Sequence, residues 1–338
     1  MAAWVVIPTL DARERLLETL HSLHAQTLPA AGIVVVDNAS RDGTAEAVAE
    51  RFPAVRLVRL ERNVGFGRAV NRGAAELPQG ADALVLVNND CVCEPGFLEA
   101  LLAPLADPVV GMVAGVLLQG GAPELVDSAG IELDATLGSW DLWWNRPAAE
   151  LDGVPRPVGA CGGAAAYRMS AFRAVGGFDE TFFAYWEDVE LALRLRLAGW
   201  ECAFAPAARA VHHHGATLGA ASPAQRRLEA FGRGYVLGRY RVPRLGAATR
   251  ARVAALDWPG LAVHLLARRE LGPIRSRARG LRAGYAREPL RPPVELATVP
   301  FRVALGRHLD LLRLRLTGRL PRHFSDHAPA GTRGSRSP

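Results

Sequence analysis

Four times in the first hundred residues, a short run of aliphatic residues gives way to a stretch with helical spacing. "WVVIPTL", "GIVVVDNAS", "VRLVRL" and "ALVLVNND" read as buried strands. Between them, "ARERLLETLHSLHAQ" places Leu16, Leu17, Leu20 and Leu23 on one helical stripe, and "GTAEAVAERF" reads as a shorter helix. "GFGRAVNRGAAEL" opens on glycines and becomes a helix, and "EPGFLEALLAPL" is a helix with proline near its first turn. Such alternation requires an α/β fold: a mostly parallel, Rossmann-like sheet with helices on both faces. Ligands of such sheets bind outside the carboxyl ends of the strands. The polar clusters "DNASRDG", "ERNVGFG" and "NND" all fall there.

A chain of 338 residues, 49% hydrophobic and 22% charged, has ample material for a core. "AAWVVIPTL" runs straight into a strand with no basic-then-apolar segment ahead of it, so the expected compartment is the cytoplasm. No apolar run reaches the ~18–20 residues that span a bilayer. Ala251–Leu271 comes nearest, and Asp257, Pro259, Arg268 and Arg269 interrupt it. The 4 cysteines include one close pair, "CVC", without a second, so they read as reduced thiols rather than a zinc site.

The net charge of +6 conceals a division. From Leu218 onward there are 24 arginines against 7 acidic residues; before it, 16 against 27. An acidic body thus joins a basic, Arg-rich extension, a pattern that suits an anionic surface as partner.

The middle of the chain is less regular. "GMVAGVLLQ" reads as a strand, the Trp-rich "WDLWWNRP" as a loop, and "GACGGAAAY" as a Gly-rich turn. "ECAFAPAARAVHHHGAT" reads as a strand pair ending in histidine. Beyond about Gly219 the pattern is helical, and "HAPAGTRGSRSP" has the composition of a disordered tail. The expected domains are 1–217, 218–325 and 326–338.

Several side chains could carry chemistry. Asp37 and Asn38 end the second strand, where a carboxylate either meets a base or ribose or closes an Asx turn. Asp90 follows an apolar strand, as a divalent-metal ligand or a turn residue. Strand alternation in "VHHHGAT" sends His212 and His214 to one face and His213 to the other, which suits ligation or a plain structural role. "RNVGFGRAVNRG" is not a dinucleotide fingerprint, and "PTLDARE", after the first strand, has no glycine, which argues against a nicotinamide enzyme.

"FFAYWEDVELALRLRLAGW" predicts a helix from about Glu187 to a terminating Gly199. Leu191/Leu195, Leu193/Leu197 and Glu190/Arg194 are supporting pairs four residues apart. The helix macrodipole alone accounts for acids in the first turn. It does not account for Phe182, Phe183, Tyr185 and Trp186, whose flat apolar surfaces suit a sugar ring and raise a carboxylate's pKa.

In chain order, "VVIPTL", "IVVVDNASRDGT", "RNVGFGRAVNRG", "VLVNND", "GGFDETFFAYWEDVELALRLRLAG" and "AVHHHGAT" resemble the inverting family 2 glycosyltransferases of the GT-A fold. Within that family the likeness is to rhamnosyltransferase-like and galactofuranosyltransferase-like enzymes of bacterial cell-surface polysaccharide synthesis. It covers roughly Trp4 to Thr217.

The resemblance implies a nucleoside-diphosphate sugar donor (a dTDP- or UDP-sugar), a glycan or polyprenyl-linked acceptor, and Mg²⁺ or Mn²⁺. It implies that Pro8, Thr9, Asp37, Asn38, Asn63, Gly65, Asn88 and Asn89 bind the nucleotide. Asp90 becomes the principal metal carboxylate, because Asn88 stands where many members have Asp; His212 or His214 is the metal-binding histidine. Asp188 matches the catalytic base, with Tyr185, Trp186, Glu187, Gly162 and Gly163 around the sugar and acceptor. Asp11 takes the place of a commoner Asn.

The basic extension, with "HLDLLRLRLTGRL", suits a peripheral anionic membrane at the inner face of the cell, or a packing extension that could form a homodimer. Two competing readings are weaker. No nucleic-acid motif accompanies the basic region, and a sugar-nucleotide nucleotidyltransferase needs a Gly- and Arg-rich loop after the first strand.

Overall fold

The computed structural model describes residues 1–151, 153–213 and 222–317. His214 and the expected tail 326–338 lie outside the described residues. In chain order the elements are β1 (Ala3–Thr9), α1 (Arg13–His24), β2 (Gly32–Asp37), α2 (Thr44–Arg51), β3 (Arg56–Arg59), α3 (Phe66–Ala75), β4 (Ala83–Val87), β5 (Cys91–Cys93), α4 (Phe97–Leu102), β6 (Val110–Gln119), β7 (Ala122–Ser128), β8 (Ile131–Leu133) and β9 (Ser139–Asp141). There follow β10 (Ala164–Arg168), α5 (Met169–Ala174), α6 (Glu187–Leu197), β11 (Glu201–His212), α7 (Pro223–Arg239), α8 (Ala247–Ala262), α9 (Gly272–Tyr285) and α10 (Phe301–Thr317).

The main sheet runs β3-β2-β1-β4-β10-β6-β11-β5, with β7 paired to β6. β1 through β4 are parallel, as the alternation demands. β10 enters antiparallel between β4 and β6, so the sheet is mixed. Side-chain alternation divides the core. Val5, Ile7, Val35, Val85 and Val87 pack with α1, α2 and α4; Val6, Val34, Val36, Leu84 and Leu86 pack with α3 and α6.

Two sequence expectations are corrected. "ECAFAPAARAVH" is one strand, not a pair: β11 lies along β6 on both sides of an irregularity between Phe204 and Arg209. Pro206 has no N–H for the ladder, and the bulge absorbs it without ending the strand. The strand stops at His212, so the face alternation expected for His212–His214 does not extend past its first member. The short strands β7, β8 and β9 carry no clear alternation in the sequence.

The basic extension packs through glycine. Gly234 and Gly238 on α7 face Gly280 and Gly284 on α9, and a Cβ at any of the four would strike the other helix's backbone. Arg233, buried on α7, donates to Thr136 and pairs with Asp257 of α8, tying the extension to the loop after β8.

Candidate functional site

A cleft of about 1940 Å³ opens at the carboxyl ends of β1, β2 and β4 and runs to α8 and α10. One small ligand needs roughly 300–1,000 Å³, so two substrates fit. Pro8, Thr9, Asn38, Asn63, Gly65, Asn88, Asn89, Asp90, Gly162, Gly163, Tyr185, Trp186, Glu187, Asp188 and His212 all line it. The sequence scatters these residues over two hundred positions.

At the strand ends, Asn38 and Asn63 shape the loop before α3. The Asn38 carboxamide accepts from Val64 N–H at 2.8 Å and donates to the Gly65 carbonyl at 3.2 Å, and Asn63 Oδ1 accepts from Gly65 N–H at 2.9 Å. Gly65 has φ +91°, and a Cβ there would collide with the Phe183 carbonyl. That close approach lets Phe66 N–H donate to the same carbonyl at 2.7 Å. Asn89 donates to Thr9 Oγ1 at 3.0 Å. Asp37 is buried behind this rim, accepting from Ser40 N–H at 2.8 Å, so an Asx turn forms and the side chain does not line the cleft.

Deeper in, Asp90 Oδ1 lies 3.3 Å from His212 Nε2, and His212 Nδ1 lies 2.8 Å from Asp127 Oδ2. Burial pulls the imidazole's pKa down, but the hydrogen bonds to Asp127 and Asp90 outweigh it and bring it up to about 9. When that proton leaves, Asp127 holds Nδ1–H and turns the Nε2 lone pair toward Asp90. Carboxylate–histidine pairs orient metal ligands in this way. Asn88 Oδ1 is buried beside them without a hydrogen-bond partner among the described residues. A carboxylate, an imidazole and a free amide oxygen are the donor set of Mn²⁺ or Mg²⁺, so these residues fit such an ion. Cys91 Sγ is also near. Burial and the Asp90 charge push its pKa well up, so it stays a thiol and makes a poor ligand.

Across the cleft, Tyr185 and Trp186 both hold left-handed backbone, φ 67° and 75°. Neither is glycine, and such strain clusters at functional sites. The turn delivers Glu187 and Asp188 into the first turn of α6. Asp188 accepts from Gly162 N–H at 3.2 Å and from Val189 N–H at 2.8 Å. Glu187 is buried, and its Oε2 has no hydrogen-bond partner among the described residues.

Burial raises both carboxyls, and the Asp188 charge raises Glu187 further, to about 8. Adjacent buried acids cannot both ionise cheaply. Asp188, with two N–H donors, is the better placed of the two to carry charge, and Glu187 the better placed to keep a proton. Behind them Glu190 and Arg194 form a buried pair at 2.7 Å, with Arg194 also donating to the Gly177 carbonyl.

Reasoning from the sequence missed Asp127. It sits on β7 in "ELVDSAG", a stretch with no pattern that singles it out. The Trp-rich loop supplies Trp140, Trp143 and Trp144 to the cleft wall, residues that the sequence does not single out one by one.

A mixed sheet with a ligand cleft at the ends of its parallel strands, an acid pair on one wall and a carboxylate–histidine pair on the other is the architecture of a GT-A glycosyltransferase. Comparison with known proteins narrows this. Residues 4–176 match the family model described as glycosyl transferase family 2, and residues 153–215 match one described as the N-terminal domain of galactosyltransferase. The chain belongs to glycosyl transferase family 2 and is a glycosyltransferase.

It is similar to an N-acetylglucosaminyl-diphospho-decaprenol L-rhamnosyltransferase of Mycobacterium tuberculosis: 33% identical over 241 residues, 64% of this chain and 77% of the relative. An O-antigen chain rhamnosyltransferase of Salmonella anatum is 27% identical over 218 residues, 63% of this chain and 66% of that one. In fold, the chain is similar to the mannosyltransferase PcManGT from Pyrobaculum calidifontis in complex with GDP-Man and Mn²⁺ (TM-score 0.55, 20% identity, 96% of this chain and 85% of that one). It is also similar to GalNAc-T7 with UDP, GalNAc and Mn²⁺ (TM-score 0.59, 18% identity, 77% and 51%).

Proposed function

We propose that the chain transfers rhamnose or a similar sugar, with inversion, from a dTDP- or UDP-sugar to a hydroxyl of a glycan or polyprenyl-linked acceptor in cell-surface polysaccharide synthesis. The observation that carries this is Asp188. It is a carboxylate held by two backbone N–H groups on one cleft wall, facing a polar rim that includes Thr9, Asn38 and Asn89.

The chemistry follows from that placement. The nucleotide lies along the rim, where polar side chains and the Gly65 backbone meet it. Asp90 and His212 would hold a divalent cation, Mg²⁺ or Mn²⁺, which would supply positive charge to stabilise the leaving diphosphate. The acceptor hydroxyl sits against Asp188, which takes its proton as the oxygen attacks the anomeric carbon in line with the departing phosphate. One displacement without a covalent intermediate inverts that carbon. Glu187, protonated, donates a hydrogen bond to a sugar or acceptor oxygen without competing for the proton. Trp186 and the wall Trp140–Trp144 supply flat surface for the ring and exclude water.

The experiment is transfer from a panel of dTDP- and UDP-sugars to lipid-linked and free glycan acceptors, with the anomeric configuration read by NMR. Because two similar proteins are named rhamnosyltransferases, a rhamnose nucleotide is the expected productive donor. A product that retains configuration would overturn the single-displacement mechanism.

A further inference from the structure

α8 ends in a wide π-type turn, Val263–Ala267, and the chain then passes through Arg269, at φ 52°, before α9 begins. This corner presents large apolar side chains to solvent. Trp258 is 66% exposed, Leu266 is 77% exposed, and Leu265 and Leu271 are close to half exposed. Trp258, Leu261 and Leu265 fall three and four residues apart, on one helical face. Single exposed apolar residues are ordinary, but a cluster of this kind marks an interaction surface.

Its rim is cationic. Arg268, Arg269 and Arg275 are exposed, and none makes an ion pair among the described residues. The one acid between them, Glu270, is held by Arg226.

We infer that this corner docks on an anionic phospholipid bilayer, with Trp258, Leu265, Leu266 and Leu271 entering the headgroup boundary and Arg268, Arg269 and Arg275 meeting lipid phosphates. Unpaired cations around an apolar patch complement such a surface, and tryptophan favours the headgroup level. The cleft leads to the same place: Gly260 and Leu261 of α8 and Val303 and Gly306 of α10 line its far end. A polyprenyl chain leaving the cleft between α8 and α10 would pass directly into the membrane. That last point rests on the lipid-linked acceptor proposed above; the docking does not.

The test is sedimentation of the full chain with vesicles of phosphatidylglycerol and phosphatidylcholine, against phosphatidylcholine alone. Leu265→Glu with Leu266→Glu should cut partition onto anionic vesicles about tenfold or more. Arg268→Ser with Arg269→Ser should cut it by about tenfold and flatten its salt dependence. Both variants should transfer sugar to a water-soluble acceptor as the parent does. If the parent also fails at that transfer while vesicle binding still responds, the transferase reading falls and the docking stands. Trp258→Phe, a mild change, should bind normally but lose part of the fluorescence quenching by brominated lipids. Undiminished binding in the Leu and Arg variants would overturn the inference. So would binding that disappears only when residues 318–338 are removed, equal binding to neutral vesicles, unchanged quenching in Trp258→Phe, or a parent dimer that the Leu265/Leu266 variant dissociates.

Discussion

Replacing Glu187 with Gln should stabilise the protein, and by an amount that depends on pH. In the folded chain Glu187 keeps its proton to about 8, because burial and the neighbouring Asp188 both oppose its charge. In the unfolded chain it releases that proton near the ordinary glutamate value of about 4.3. Between those limits the folded state binds more protons than the unfolded state, so the parent loses stability as pH rises. Each pKa unit corresponds to about 1.4 kcal/mol, which sets a ceiling of about 5 kcal/mol on the cost of charging Glu187. Water entering from the open side of the cleft lowers the realised cost to about 1–3 kcal/mol, the usual figure for a buried polar group left unpaired. Gln is nearly isosteric with the protonated acid. The assay is urea unfolding of parent and variant at pH 5, 7 and 9. The variant should lead the parent least at pH 5, by more at pH 7, and by most at pH 9. A constant difference across the three, or a less stable variant at pH 9, would refute the idea that the pair's single proton resides on Glu187.

Asp188→Asn should lower kcat by about 10²–10⁴, the usual worth of a general base, while nucleotide affinity stays within a few fold by calorimetry; retained turnover would remove Asp188 from that role. Asp127→Asn should weaken Mn²⁺ binding about 10- to 100-fold through the misoriented imidazole, measured with nucleoside diphosphate present; equal affinity would show that Asp127 does not orient His212. Because His212 holds its proton to about 9, Mn²⁺ affinity in the parent should rise with pH and level off above that value, and a flat profile between pH 6 and 9 would contradict His212 as a ligand. Gly280→Val should destabilise the α7–α9 pair by about 1–3 kcal/mol, as overpacking does, seen as a lower melting temperature; an unchanged melt would mean that the helices do not meet backbone to backbone.

The first half of the fold was legible because its code is local. Val5 to Ile7 and Val34 to Val36 announce buried strands, and the turn residues after them mark the ligand edge without reference to anything distant. Asp188 stands out as a candidate because four aromatic residues precede it, more than a cap requires. Asp127 does not, since its meaning lies entirely in a partner 85 positions away. Asp37 is ambiguous for a related reason: an aspartate at a strand end serves a turn or a ligand equally well, and its bond to Ser40 N–H supplies the turn. The glycines of α7 and α9 escaped notice because helix-to-helix contact leaves no local periodicity when the contacting residue has no side chain. Pro206 misled in the opposite direction, reading as a break where the strand only bulges.

The bond from Phe66 N–H to the Phe183 carbonyl joins the loop of the proposed donor site to the turn that delivers the proposed base, with only four residues between that carbonyl and Asp188. Neither segment can shift without pulling the other. Evolution therefore cannot retune donor choice at residues 63–66 and leave the timing of proton removal untouched. Grafting the donor loop of a relative onto this scaffold would call for residues 183–188 of the same relative as well, and a chimera that exchanges only one of the two should be a slow enzyme with either donor.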